Sequence, residues 1–190
     1  MVKEEYTIIL DFLPNGYPFD TKPLHRKTPI AQAIGKSHFV LLELVPKKGI
    51  SLSIGEEVYI GEEKREKIHH IVGKISSKKL TETAKNELNY IIKELVEKNE
   101  EKFIKFFNEA KPINTRRHQI ELLPGIGKKH MWEIIESRDE KPFESFEDIN
   151  KRVKLLPDPV KIIIKRILIE LEGGEKHKLF ETILFRKFFK

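Results

Sequence analysis

The chain has 190 residues, 39% apolar and 35% charged, and its 36 lysines and arginines exceed its 30 aspartates and glutamates to leave a formal net charge of +6. It holds one domain or two small ones. With no cysteine it has neither disulfides nor thiolate metal sites, and with no membrane-length apolar run and no signal-peptide core in Met1-Val2-Lys3-Glu4-Glu5-Tyr6 an intracellular, cytoplasmic protein is expected.

Residues 1–80 read as mostly β, in short strands separated by Gly and Pro turns, the pattern of a small barrel. Tyr6 to Leu13 is a β-rich run ended by Pro14-Asn15-Gly16. Phe39 to Val45 is a second strand, Glu57 to Ile60 a third between Gly55 and Gly61, and Ile68 to Ile75 a fourth. Between the first two lies a basic, irregular stretch, Asp20 to Ser37, in which Ala31 to Ile34 reads as a short turn of helix. The phrase Ile54-Gly55-Glu56-Glu57-Val58-Tyr59 is similar to the turn entering a strand in barrels of the OB or SH3-like type. A partly open OB-like barrel is expected.

Residues 81–111 form a helical bridge. Leu80, Ala84, Leu88, Ile92 and Leu95 recur at near-helical spacing, Phe103, Phe106 and Phe107 begin a second short helix, and Lys111-Pro112 ends it. Residues 112–175 follow as an all-α unit, and residues 176–190 as a basic, aromatic tail after the helix stop Gly173-Gly174. The tail is expected to pack back on the protein with its lysines in water, the alternatives being a nucleic-acid contact and, as for any basic amphipathic tail, a membrane surface.

The all-α unit carries the most informative stretch, Leu122-Leu123-Pro124-Gly125-Ile126-Gly127-Lys128-Lys129, between an amphipathic segment and Trp132-Glu133-Ile134-Ile135. Gly125 and Gly127 permit a tight hairpin and close approach by a bulky anion. A helix starting near Gly127 directs unpaired N–H groups and the positive end of its dipole at the same spot, which suits a phosphate. Lys128 and Lys129 add charge at the rim, and Arg116 and Arg117, with His118, are read as lying on the preceding helix. Nothing there addresses base edges, so the site is expected to hold a nucleic-acid backbone without reading sequence. Thirty-three residues on, Leu155-Leu156-Pro157-Asp158-Pro159-Val160 repeats the frame without either glycine. Pro159 has no N–H, and Asp158 reads as an N-cap, so this second copy is expected to scaffold, completing a five-helix tandem with Phe146 to Val153 as the connecting helix; the alternative is a weaker electrostatic contact through Lys161, Lys165 and Arg166.

The first hairpin resembles the helix-hairpin-helix family of DNA- and RNA-backbone binding motifs. The likeness runs from about Ile113 to Leu171 and includes Pro142-Phe143-Glu144-Ser145-Phe146-Glu147-Asp148-Ile149, similar to the connector of tandem modules in bacterial competence DNA receptors. A barrel followed by tandem hairpins also resembles the branch-migration proteins that bind Holliday junctions, although there both hairpins usually bear glycine. Over essentially its full length the chain resembles an archaeal family of unknown function (DUF655-like) with this barrel-plus-hairpin layout. The resemblance implies nucleic-acid binding, and a monovalent cation at the hairpin carbonyls, as in related motifs.

Other candidate contacts are weaker. Tyr17, Phe19, His25, Arg26 and Lys27 mix aromatic and basic groups in one loop, a composition that could hold single strands, or simply anchor the loop. Lys64, Arg65, Lys67, His69 and His70 form a basic cluster diluted by Glu62, Glu63 and Glu66, and the adjacent histidines are expected to diverge on a strand. Some DNA glycosylases pair this hairpin with a downstream Asp. Here Asp139 and Asp148 lie downstream, but Asp148 matches a connector acid. The fold expected is α+β: an N-terminal OB-like barrel, a helical bridge and a tandem helix-hairpin-helix. The function expected is non-sequence-specific binding of DNA or RNA through Gly125, Ile126, Gly127, Lys128 and Lys129, with Arg116 and Arg117. No catalysis, no membrane partner, and no cofactor or metal beyond that monovalent cation is expected. The alternatives are a protein-interaction scaffold and a nucleic-acid-processing enzyme with an unrecognised site.

Overall fold

The computed structural model describes residues 4–19, 23 and 27–181. The fold is mixed α+β, a curled antiparallel half-barrel followed by helices. Packing divides the chain into two units, residues 1–91 with 170–190, and residues 92–169, the division falling within two helices.

The first unit is built on strands β1 (Tyr6–Leu13), β2 (Ile30–Gly35), β3 (Leu41–Pro46), β4 (Glu57–Tyr59) and β5 (Ile68–Lys74). They form a five-stranded sheet in the order β4-β1-β2-β3-β5, with every pair antiparallel. Register shifts in β1 and in the β3–β5 pair mark bulges, which bend a strand and increase its twist. One face gathers Ile9, Ala33, Leu42, Leu44, Val58, Ile60 and Ile68 into a core. The sheet is therefore the expected barrel in partly open form.

The four strands read from the sequence are β1, β3, β4 and β5. The helical reading of Ala31 to Ile34 is overturned, because these residues lie in β2, paired to β1 on one side and β3 on the other. Every β2 residue from Ala31 to Gly35 is buried, so the polar–apolar alternation that identifies a strand is missing. Gln32 is the polar member. Its Nε2 donates to Tyr17 Oη (3.0 Å) and to the Lys79 carbonyl (2.9 Å), while its Oε1 accepts the Thr81 N–H (2.9 Å). Thr81 then opens helix α1 (Glu82–Lys98), its Oγ1 accepting from the Ala84 N–H (3.1 Å) and donating to Asp11 (2.6 Å).

The expectation that His69 and His70 diverge is also overturned. A bulge skips His69 in the β3–β5 register and leaves both side chains exposed, their Nδ1 atoms 2.8 Å apart. In the C-terminal segment Phe180 and Glu181 are buried. The buried Glu170 carboxylate accepts the N–H groups of Leu179 (2.7 Å), Phe180 (2.9 Å) and Glu181 (2.8 Å). Glu181 pairs with Lys74 and Lys178. Residues 176–181 thus pack on their own unit, and the remainder of the tail, 182–190, lies outside the described residues.

The second unit contains the end of α1, α2 (Glu100–Glu109), a ribbon of β6 (Pro112–Asn114) and β7 (Arg117–His118), a 3-10 turn (Gln119–Leu122), α3 (Lys128–Glu140), α4 (Phe146–Arg152) and most of α5 (Pro159–Glu172). The two bridge helices match α1 and α2. The expected five-helix tandem is corrected, since the hairpin is entered through a ribbon and a single 3-10 turn. Pro112 and Asn114 pair with His118 and Arg117, and this local pairing takes the residues a first helix would need. Phe103, Phe107, Ile120, Leu123, Ile134, Ile149, Ile163 and Ile167 are buried in this unit.

Candidate nucleic-acid interface

The hairpin begins at His118. Its buried ring accepts the Ile120 N–H at Nδ1 (3.1 Å), while Glu121 accepts the His118 N–H (2.7 Å), closing a capping box over the 3-10 turn. Burial, helped by the Arg138 charge, pushes the His118 pKa down against the opposing pull of Glu121. Nδ1 can accept only in the neutral ring, and the lowered pKa favours that form. The chain then turns through two bonds, Leu123 N–H to the Ile120 carbonyl and Ile126 N–H to the Leu123 carbonyl, each 3.1 Å. Ile126 is buried and anchors the loop, while Gly125 and Gly127 on either side are exposed.

The two glycines have different reasons for being there. Gly125 has φ +85°, a left-handed conformation that L side chains rarely adopt. Gly127 is the N-cap of α3 in ordinary extended backbone (φ −91°), and a Cβ built on it would meet nothing within 4 Å. The fold does not demand glycine at 127, and the space above it is open.

That space lies over the start of a 13-residue helix with no side-chain cap bond and no acidic residue in its first turn. The first N–H groups of such a helix have no intrahelical acceptor. The neighbouring helices are closed. Ser145 caps α4 by accepting the Asp148 N–H (3.0 Å), and Asp158 caps α5 by accepting the Val160 N–H (2.9 Å). Asp158 is thus the N-cap its sequence implied. Asp148 accepts the Glu144 N–H and pairs with Arg152, each at 3.1 Å, so it serves the connector. Beside the open terminus Lys128 and Lys129 are exposed, Lys129 lying 3.9 Å from Glu133.

Arg116 and Arg117 are exposed on the ribbon and not on a helix. Asn114 Oδ1 accepts the Arg116 N–H (2.9 Å) and fixes the ribbon corner. With Lys128 they line one cavity, so the structure brings together three of the four cationic residues singled out around the hairpin, and Lys129 is not part of that lining. Trp132 lies in the same cavity and is 57% exposed. Sequence reasoning did not assign it, although Lys128, Trp132 and Ile135 at i, i+4 and i+7 were a readable helical face.

The second hairpin does not copy the first. Leu155, aligned with the buried Leu122, has φ +60° and is 87% exposed. In the first unit, Tyr17 donates to Glu43 (2.6 Å), and burial together with that bond pushes its pKa up to about 12. Phe19 stacks on Tyr17 at 4.9 Å and is otherwise open to solvent, and the Lys27 amine reaches the Tyr17 carbonyl at 3.5 Å. His25 and Arg26 lie outside the described residues. In the second basic cluster Lys67 pairs with Glu56 and Arg65 donates to the Gly61 carbonyl.

A family model described as a protein of unknown function, DUF655, matches residues 3–182. The chain is 46% identical over 184 residues to the uncharacterized protein MJ0038 of Methanocaldococcus jannaschii, covering 97% of this chain and 82% of that protein. The crystal structure of Af1531 from Archaeoglobus fulgidus, a DUF655 protein, is 45% identical and superposes with a TM-score of 0.85, covering 94% of this chain and 100% of that one. A 59-residue stretch is 37% identical to the PolC-type DNA polymerase III of Mycoplasma genitalium, covering 30% of this chain and 4% of the polymerase.

Proposed function

The chain belongs to the DUF655 family of proteins of unknown function, and we propose that it is a nucleic-acid binding protein that grips the phosphate backbone at its first hairpin without reading sequence. The observation that carries this reading is the uncapped N-terminus of α3 beneath the open space at Gly127, rimmed by Lys128 and Lys129. Backbone N–H groups and a helix dipole suit a phosphate oxygen, and lysines supply point charge without base discrimination. Arg116 and Arg117 add contacts to the same strand. Hairpin carbonyls are the donors that would hold a monovalent cation, whose charge would offset that of the phosphate. The second hairpin acts as scaffold, its helix terminus closed by Asp158. The short likeness to a DNA polymerase points in the same direction and is too small to carry the reading. Binding, not turnover, is the activity proposed; labelled DNA and RNA incubated with and without magnesium should remain intact.

The test is a binding titration of Gly127→Val against duplex DNA, single-stranded DNA and structured RNA, with folding checked by circular dichroism. The extended backbone at 127 accepts a β-branched residue, so the variant should fold. Its side chain fills the approach to the helix terminus, so affinity should fall at least about tenfold. A folded variant that binds as well as wild type would remove the hairpin from the site. The second reading, a protein-interaction scaffold, is favoured by Leu155, whose apolar side chain is held in solvent on left-handed backbone.

A further inference from the structure

Between the ribbon and α3 lies a cavity of about 560 Å³, within the range of small-molecule sites, about 300–1,000 Å³. Trp132, Met131 and Ile135 on α3, and Pro112 on the ribbon, give it an apolar wall and a flat aromatic face; Arg116, Arg117 and Lys128 give it positive charge. Among the described residues these three cations form no ion pair. The remaining charged groups are engaged: Glu121 in the capping box, and Arg138 through a 2.8 Å bond to the Phe107 carbonyl. An apolar slot with a stacking surface, ringed by cations, suits a flat heterocycle attached to a phosphate.

Its position narrows the occupant. Lys128 belongs both to the cavity and to the open helix terminus, and Trp132 stands one helical turn further along the same face. That short step is comparable to the reach from a phosphate to its base across one sugar. We infer that the cavity takes one unpaired nucleobase, stacked on Trp132, from a strand whose phosphate lies on the N-terminus of α3. In a continuous duplex the bases are paired and stacked, and none can enter. The ligands favoured are therefore single strands, ends and duplexes with an extruded nucleotide, in DNA or RNA. This inference rests on the hairpin reading and goes beyond it.

Trp132 is the chain's one tryptophan, so its fluorescence reports the pocket directly. The 190-residue chain would be titrated with oligothymidylate, oligouridylate, the DNA oligomer carrying abasic sites, and a relaxed, covalently closed circular duplex with neither ends nor loops. Affinities would be measured separately with labelled oligomers for wild type, Trp132→Ala and Trp132→Phe. Quenching by the normal single strands, but by neither the abasic oligomer nor the closed duplex, is the expected result, with the two normal strands showing which sugar is preferred. Trp132→Ala should lose about tenfold or more in single-strand affinity while leaving binding to the abasic oligomer unchanged, and Trp132→Phe should restore most of the loss. Equal, Gly127-dependent binding of normal and abasic strands without quenching would overturn the pocket and leave the hairpin reading intact. Absence of binding to every oligomer would overturn both.

Discussion

His118 is buried in its turn with Nδ1 accepting from the Ile120 N–H, and burial beside Arg138 holds its pKa below the usual histidine value. An unfolded histidine titrates near about 6.5. Between that value and the lower folded one, the unfolded chain binds more protons. Stability therefore falls as pH drops below about 6.5 and levels off beneath the folded pKa. Replacing His118 with Asn keeps an N-cap acceptor and removes the titration. Urea unfolding at about pH 7.5 and about pH 5.5 should show a smaller acid loss in His118→Asn than in wild type. Equal losses would place the relevant proton elsewhere. Gly125 and Gly127 also separate at this scale. Both were legible as a hairpin, but only the backbone angles reveal that the fold requires one and leaves the other free.

At the scale of elements, β2 is the case where local pattern failed. A strand buried on both faces loses the alternation that identifies it, and Ala-Gln-Ala has no β-branched residue to compensate. What makes it a strand is pairing on both sides, and what keeps Gln32 inside is the start of α1. Gln32→Leu would leave the Thr81 N–H, the Lys79 carbonyl and the Tyr17 hydroxyl each short of a partner. Its expected cost is about 1–3 kcal/mol, measured by denaturant unfolding. A cost near zero would mean that water replaces the amide. The ribbon before the hairpin was missed for a related reason. Two short strands make too few residues for a period, and their pairing is a contact and not a sequence pattern. His118 and Glu121, by contrast, were already spaced as a capping box.

For the whole molecule, a net charge of +6 favours polyanions in general, whereas the salt dependence of the proposed binding would count the phosphates engaged. A hairpin contact with about three phosphates gives a log–log slope of about −3 on duplex DNA. Lys128→Ala/Lys129→Ala should flatten that slope by about two. A wild-type slope much steeper than this would show that the loop at Tyr17 or another basic segment also binds. The C-terminal segment is not a free basic arm as far as residue 181, because Glu170 holds three of its N–H groups and Glu181 is paired with Lys74 and Lys178.

By itself, the sequence determined a β-rich half followed by helices, four of the sheet's five strands, helices α1 and α2, the tight glycine turn before α3, and the capping of α5 by Asp158. These are local properties: turn chemistry, helical periodicity and a cap act over a few residues and can be read in a line. The tertiary structure alone decided that β2 is a central strand, that His69 and His70 meet across a bulge, and that Arg116, Arg117, Lys128 and Trp132 surround one cavity. Each of these depends on residues far apart in the chain, or on how one element faces another, and such pairings are set by packing, which sequence spacing does not record.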